Sequence, residues 1–123
     1  MIDDETALLQ ALKRLLADEH DVMTFADPVE AKEWLLYGPP PDVVLCDIMM
    51  PVMNGIDLYQ EVTRTHAWMA SRFVFITGVS RAREVQRALQ VGEPRVIEKP
   101  LLRDQILAIC REVGPRASRR NAA

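Results

Sequence analysis

Val43-Val44-Leu45-Cys46 is an unbroken apolar run that stops abruptly at Asp47. A strand wetted on one face alternates apolar and polar residues, whereas an unbroken run suits a strand covered on both faces of a parallel sheet. Phe73-Val74-Phe75-Ile76 repeats the pattern and ends in Thr77-Gly78, and the shorter Arg95-Val96-Ile97-Glu98 ends in Lys99-Pro100. His20 to Phe25 reads as a further short strand. Between these lie stretches with helical spacing. Ala7, Leu8, Ala11, Leu12, Leu15 and Leu16 mark a helix from Thr6 to Ala17. A second helix opens with Asp27 as N-cap and Pro28 at its first position, and stops at Gly38 and the prolines 39 to 41. Ile56 to Arg64, Arg81 to Val91 and Arg103 to Val113 complete the set.

Strands alternating with helices imply βα units with right-handed crossovers, hence an α/β fold: a doubly wound, mostly parallel sheet with helices on both faces. A chain of 123 residues suits one domain with one core. Residues 1–114 read as that domain, and residues 115–123, with Arg116, Arg119 and Arg120, as a flexible basic tail. A net charge of −3 argues against a nucleic-acid footprint across the domain. No apolar run approaches the length that spans a bilayer, and the start lacks the basic and apolar regions of a signal peptide, so the chain reads as cytoplasmic. Cys46 and Cys110 fit as small buried hydrophobes, without zinc-site spacing.

In sheets of this kind the functional site lies beyond the carboxyl ends of the strands. Asp47, Thr77 and Lys99 each fall just after an expected strand, and Asp3-Asp4 falls just before the first helix, where another strand should end. Three carboxylates meeting at one edge repel one another unless a hard cation joins them, and Mg²⁺ suits an all-oxygen set. Lys99 adds a fixed positive charge and Thr77 a hydroxyl donor. A carboxylate nucleophile with a metal, a lysine and a hydroxyl can carry out phosphoryl transfer. Taken singly, each feature has a plainer reading. Asp3, Asp4 and Glu5 would be favourable charges at a helix start, and Thr77-Gly78 a strand-to-turn signal. Lys99 alone would be a solvated loop residue. The methionines Met49, Met50 and Met53 read as packing residues, Trp34 and Trp68 as fillers between helix and sheet, and His20 and His66 as surface residues.

The segment Asp47-Ile48-Met49-Met50-Pro51-Val52-Met53-Asn54-Gly55 resembles the phosphoacceptor loop of bacterial receiver domains, the response-regulator modules of two-component signalling. Asp3-Asp4-Glu5, Phe75-Ile76-Thr77-Gly78 and Glu98-Lys99-Pro100 resemble that family's other motifs in order, over nearly the whole chain. The resemblance implies a flavodoxin-like fold with Asp47 as phosphoacceptor and Mg²⁺ held by Asp3, Asp4, Asp47 and the backbone carbonyl of Met49. It further implies Lys99 paired with Asp47, Thr77 coupling phosphorylation to the surface of the fourth helix, last strand and last helix, and a cis bond before Pro100. The expected partner is a sensor histidine kinase or phosphotransfer protein, with no direct nucleic-acid or membrane binding. The chain would be a phosphoacceptor rather than an enzyme, standing alone or as the terminal receiver of a hybrid histidine kinase.

Three departures from the family pattern stand out. The family has a full strand before its acidic pair, where this chain has Met1-Ile2 alone, which would leave the neighbouring strands with unpaired backbone groups. Val96 stands where many receivers carry an aromatic ring. Met49 and Val79 are apolar where the family often orients water, which implies slow dephosphorylation. The alternative is a receiver-like interaction module that is never phosphorylated. A phosphatase of similar fold is disfavoured, because Met49 stands where a general acid would be needed.

Overall fold

The computed structural model describes residues 1–78, 90 and 95–122, with side chains as far as Gly114. The expected fourth helix, Arg81 to Val91, and Val79 lie outside the described residues.

The apolar runs form strands β1 (Val44–Asp47), β2 (Phe73–Thr77) and β3 (Arg95–Glu98), parallel and in the order β1-β2-β3. Val44 stands opposite Phe73, and Val74 opposite Arg95. Side chains alternate strictly between two apolar clusters, as a period of two requires. Val44, Cys46, Phe73 and Phe75 join one cluster with Ala31 and Leu35 of α2 (Pro28–Tyr37) and Ile56, Leu58 and Val62 of α3 (Gly55–Thr65). Leu45, Val74 and Ile76 join the other with Leu12 and Leu16 of α1 (Thr6–Leu16) and Ile106, Leu107 and Cys110 of α4 (Arg103–Ala122). Both faces of the sheet are therefore covered, which is why its strands are apolar throughout. Each fully buried large aliphatic or aromatic side chain contributes about 1.5–3 kcal/mol.

Local chemistry sets the helix starts. The Asp27 carboxylate accepts from Val29 N–H at 2.9 Å and caps α2, and the Asn54 carbonyl oxygen accepts from Asp57 N–H at 2.9 Å and caps α3. At the end of α2, Gly38 N–H donates to Trp34 O at 2.7 Å.

On the far side of β1 the ladder continues at Ile2. Ile2 bridges Phe25 on one side and Cys46 on the other, both in parallel. Ile2 N–H donates to Leu45 O and Asp47 N–H to Ile2 O, both at 2.8 Å. Phe25 N–H donates to Met1 O at 2.9 Å, and Asp3 N–H to Phe25 O at 3.1 Å. Of the strand expected over His20 to Phe25, one bridge is formed, at Phe25.

Three further expectations are corrected. The last helix does not stop at Val113 ahead of a frayed tail but continues to Ala122. Pro115 removes one backbone hydrogen bond, and the alanines and arginines that follow favour helix. A 3-10 helix over Ala67–Arg72, unforeseen in the sequence, precedes β2. Trp68 does not fill the interior: it is partly exposed and carries the Arg72 guanidinium 4.4 Å from its ring centre, while Arg72 donates to Pro41 O at 2.9 Å. His66 is not a free surface residue either, since its Nε2 lies 2.9 Å from Leu36 O.

Candidate functional site

The end of every strand delivers one polar group to the same edge. Asp47 is the last residue of β1, Thr77 the last of β2, Lys99 follows β3, and Asp3 follows the bridge at Ile2. Backbone bonds hold these groups level: Ile48 N–H donates to Ile76 O at 3.0 Å and Lys99 N–H to Thr77 O at 2.8 Å. The Lys99–Pro100 bond is cis.

Gly55 shows why the loop after Asp47 turns as closely as it does. A β-carbon there would stand 2.3 Å from the backbone oxygen of Asp47 and 3.1 Å from Cys46 Sγ. Only glycine lets α3 begin against the end of β1, where Gly55 N–H donates to Ile48 O at 2.8 Å. Val52, in the same loop, has φ 73°, a left-handed conformation that a β-branched side chain resists.

Asp3, Asp4 and Asp47 each offer an oxygen within 4.8 Å of the others. Asp3 and Asp47 are buried and Asp4 exposed, so the cluster has one wet side. Lys99 Nζ lies 3.5 Å from Asp3 Oδ2, 3.7 Å from Glu5 Oε1 and 4.0 Å from Asp47 Oδ2. Burial, then the Asp3 charge, push the Asp47 carboxyl up to about 6, against the opposing pull of Lys99. Burial also raises Asp3, with the Glu5 N–H hydrogen bond at 2.9 Å working the other way. Burial works against the Lys99 charge, yet Asp47, Asp3 and Glu5 together outweigh it and raise its pKa.

The donor set fits a hard divalent cation. Among the described residues Asp3 Oδ2 is buried with no hydrogen-bond partner, and Lys99 is the cation that pairs with Asp3 and Asp47. An all-oxygen cluster with one open side is what Mg²⁺, which keeps several waters, takes. The Met49 backbone also works against the rise in the Asp47 pKa, while the Met49 side chain is partly exposed. Thr77 is fully buried, and its hydroxyl donates to Gly78 O at 3.3 Å. The structure thus brings Asp3, Asp4, Asp47 and Lys99 together and ties Thr77 to Lys99 through the backbone. Glu5, read from the sequence as a helix-start charge, also reaches Lys99. Its place beside Asp3-Asp4 was the available signal. Both cysteines are buried and free, and burial pushes both thiols up, as inert packing residues require.

A doubly wound α/β fold with an acidic, lysine-bearing edge at the carboxyl ends of its strands defines the class, and comparison with known proteins supplies the family. The sequence matches the family described as "Response regulator receiver domain" over residues 1–111. It is 30% identical over 109 residues to the transcriptional regulatory protein DltR of Streptococcus agalactiae, covering 88% of this chain and 47% of that protein. It is 25% identical over 108 residues to the chemotaxis protein CheY of Halobacterium salinarum, covering 87% of this chain and 88% of that one. The chain spans about half the length of the first transcriptional regulator it matches. A receiver domain structure from Clostridium thermocellum superposes with a TM-score of 0.83 at 26% identity, covering 95% of this chain and 93% of that one. The chain belongs to the response regulator receiver domain family of two-component signalling.

Proposed function

We propose that Asp47 accepts a phosphoryl group, in a Mg²⁺-dependent reaction, from a phosphohistidine on a sensor histidine kinase or phosphotransfer protein. One observation carries the reading: Asp3, Asp4 and Asp47 gather within 4.8 Å of one another, with Lys99 in ion-pair reach of Asp3 and Asp47. Asp3, Asp4, Asp47 and the Met49 carbonyl would hold the cation, Asp3 acting mainly through a coordinated water. When bound, Mg²⁺ offsets the negative charge of the carboxylates and of the phosphoryl oxygens.

A carboxylate oxygen of Asp47 attacks phosphorus in line, the phosphorus–nitrogen bond of the donor breaks, and the imidazole leaves with the electron pair and takes a proton. Lys99, drawn toward Asp47 by charge, transfers that pairing to the phosphoryl oxygens. The Thr77 hydroxyl exchanges its bond to Gly78 O for one to a phosphoryl oxygen, coupling the site to the surface around β3 and α4. Residues 1–114 form the signalling unit and residues 115–122 a basic extension of α4. The domain assists its own phosphorylation and dephosphorylation without turning over a separate substrate.

Intact mass after incubation with phosphoramidate and Mg²⁺ tests the reading. The wild-type chain should gain a single phosphoryl adduct, lost in Asp47→Asn and on chelation of the metal. An adduct that persists in Asp47→Asn, or none under any condition, would refute it.

A further inference from the structure

Glu5 begins a helix that its side chain does not cap. It is the N-cap residue of α1, and its backbone oxygen accepts from Leu9 N–H at 3.1 Å, yet its carboxylate accepts from no helical N–H. Asn, Asp, Ser and Thr cap well because their short side chains fold back onto the first turn. The longer Glu5 side chain reaches outward instead, and its Oε1 lies 3.7 Å from Lys99 Nζ.

Among the described residues Lys99 therefore meets three carboxylates of two kinds. Asp3 and Asp47, at 3.5 Å and 4.0 Å, are buried and belong to the cluster whose oxygens lie within 4.8 Å of one another. Glu5 is exposed and lies outside that cluster. A cation held by Asp3, Asp4 and Asp47 offsets their charge and leaves that of Glu5 to Lys99. When Lys99 turns to a phosphoryl oxygen, Glu5 stays behind as a negative charge beside the site. Its two contacts through Lys99, laid end to end, keep it within about 8 Å of Asp47, the distance over which physiological salt screens exposed charges.

We infer that Glu5 sets the charge class of phosphodonor that the site accepts. Its carboxylate, positioned by Lys99, disfavours donors that arrive as dianions and favours those whose phosphoryl group is carried on a protonated nitrogen, as on an imidazole. The inference rests on Asp47 being the phosphoacceptor. Two small donors represent the two classes. Phosphoramidate carries a protonated nitrogen near neutral pH; its phosphorus–nitrogen bond breaks and ammonia leaves with the electron pair. Acetyl phosphate is a dianion; its phosphorus–oxygen bond breaks and acetate leaves with the electron pair. In both reactions Asp47 forms the new bond to phosphorus, so any influence of Glu5 on the nucleophile, on Lys99 or on the fold acts on both rates alike. A negative charge at the start of α1 also interacts favourably with the helix dipole, but that changes stability and not the ratio of the two rates.

The test is the rate of Asp47 phosphorylation by each donor with Mg²⁺, read by intact mass in the wild-type chain, Glu5→Gln and Glu5→Asp. Glu5→Gln keeps the shape and removes the charge. It should raise the acetyl phosphate rate about fivefold relative to the phosphoramidate rate, as one partly screened unit charge at this distance would. Glu5→Asp restores the charge and should bring the ratio back to within about twofold of the wild type. In about 1 M salt, where screening acts within about 3 Å, the gain in Glu5→Gln should vanish. An equal change in both rates on Glu5→Gln, a ratio in Glu5→Asp no nearer the wild type, or a gain that persists in high salt overturns the inference and leaves the phosphoacceptor reading intact. Failure of both donors to label the wild-type chain overturns the two together.

Discussion

The two ends of the sheet differ in how far their ladders are completed. At the carboxyl ends Phe25, Ile2, β1, β2 and β3 are joined side by side, and every strand end presents a polar group at one level. Toward the amino ends a cavity of about 420 Å³ lies between Asp21–Met23 and Val43–Leu45. Ile2, bonded on both sides, is sufficient to set Asp3 and Asp4 against Asp47. Positioning of the carboxylates is local to that rung.

If that contrast holds, truncation of side chains at the two ends should cost different amounts. Ile2 is buried and holds the completed end together, so Ile2→Ala should cost about 4 kcal/mol and weaken Mg²⁺ binding as Asp3 loses its support. Leu35 borders the cavity and has fewer neighbours to lose on that side, so Leu35→Ala should cost about half as much and leave Mg²⁺ affinity unchanged. Urea unfolding with and without Mg²⁺ measures both. Equal losses, or a fall in metal affinity for Leu35→Ala, would break the comparison.

The two ends should also respond to pH with opposite signs. The Asp47 carboxyl, ordinarily near 3.8, is pushed up to about 6 by burial and then by Asp3. Between those values the folded state keeps a proton that the unfolded state has released. Stability from this group is therefore full below pH 4 and lost as pH rises through 6, a change of at most about 3 kcal/mol. At the open end, burial lowers the Met1 ammonium from 8.0 to about 6. There the unfolded state holds the extra proton, so stability rises from pH 6 to pH 8. In metal-free buffer the chain should show a stability minimum near pH 6. Asp47→Asn should flatten the acid limb alone, and acetylation of Met1 the basic limb alone. A single monotonic curve from pH 4 to 8 would show that the ends do not titrate separately.

The strands were legible because burial on both faces leaves no room for alternation, so Val43 to Cys46 and Phe73 to Ile76 announce themselves. Helix α2 was legible at its start through Asp27 and Pro28, whereas the Asn54 cap of α3 was found in the structure alone. The site followed from placement alone, since βα units bring strand ends to one edge whatever lies between them. What escaped depends on contacts distant in sequence. Arg72 reaches Pro41 and His66 reaches Leu36, each across about thirty residues, and neither pairing leaves a periodic trace. The strand expected over His20 to Phe25 forms one bridge, at Phe25, and local pattern cannot reveal which of its residues find a ladder partner. The end of α4 was misplaced because Gly114-Pro115 is a stop signal only when no favourable helix formers carry the chain past it.

The smallest expected effect concerns strain at the completed end. Val52 combines φ 73° with 92% exposure, so its side chain loses conformational ease without gaining burial. For an L-residue the left-handed conformation costs about 1–2 kcal/mol, and asparagine tolerates it through local hydrogen bonding. Val52→Asn should therefore stabilise the chain by about 1 kcal/mol, seen as a higher urea midpoint with an unchanged slope. The substitution also separates two roles for the loop. If the strained turn only connects β1 to α3, phosphoryl labelling of Asp47 should proceed at the wild-type rate in Val52→Asn. If the strain holds the Met49 backbone toward the carboxylates, the same substitution should gain stability while Mg²⁺ affinity falls. Unchanged stability would show that the left-handed conformation at Val52 carries no cost in this loop, and would remove strain from the contrast between the two ends.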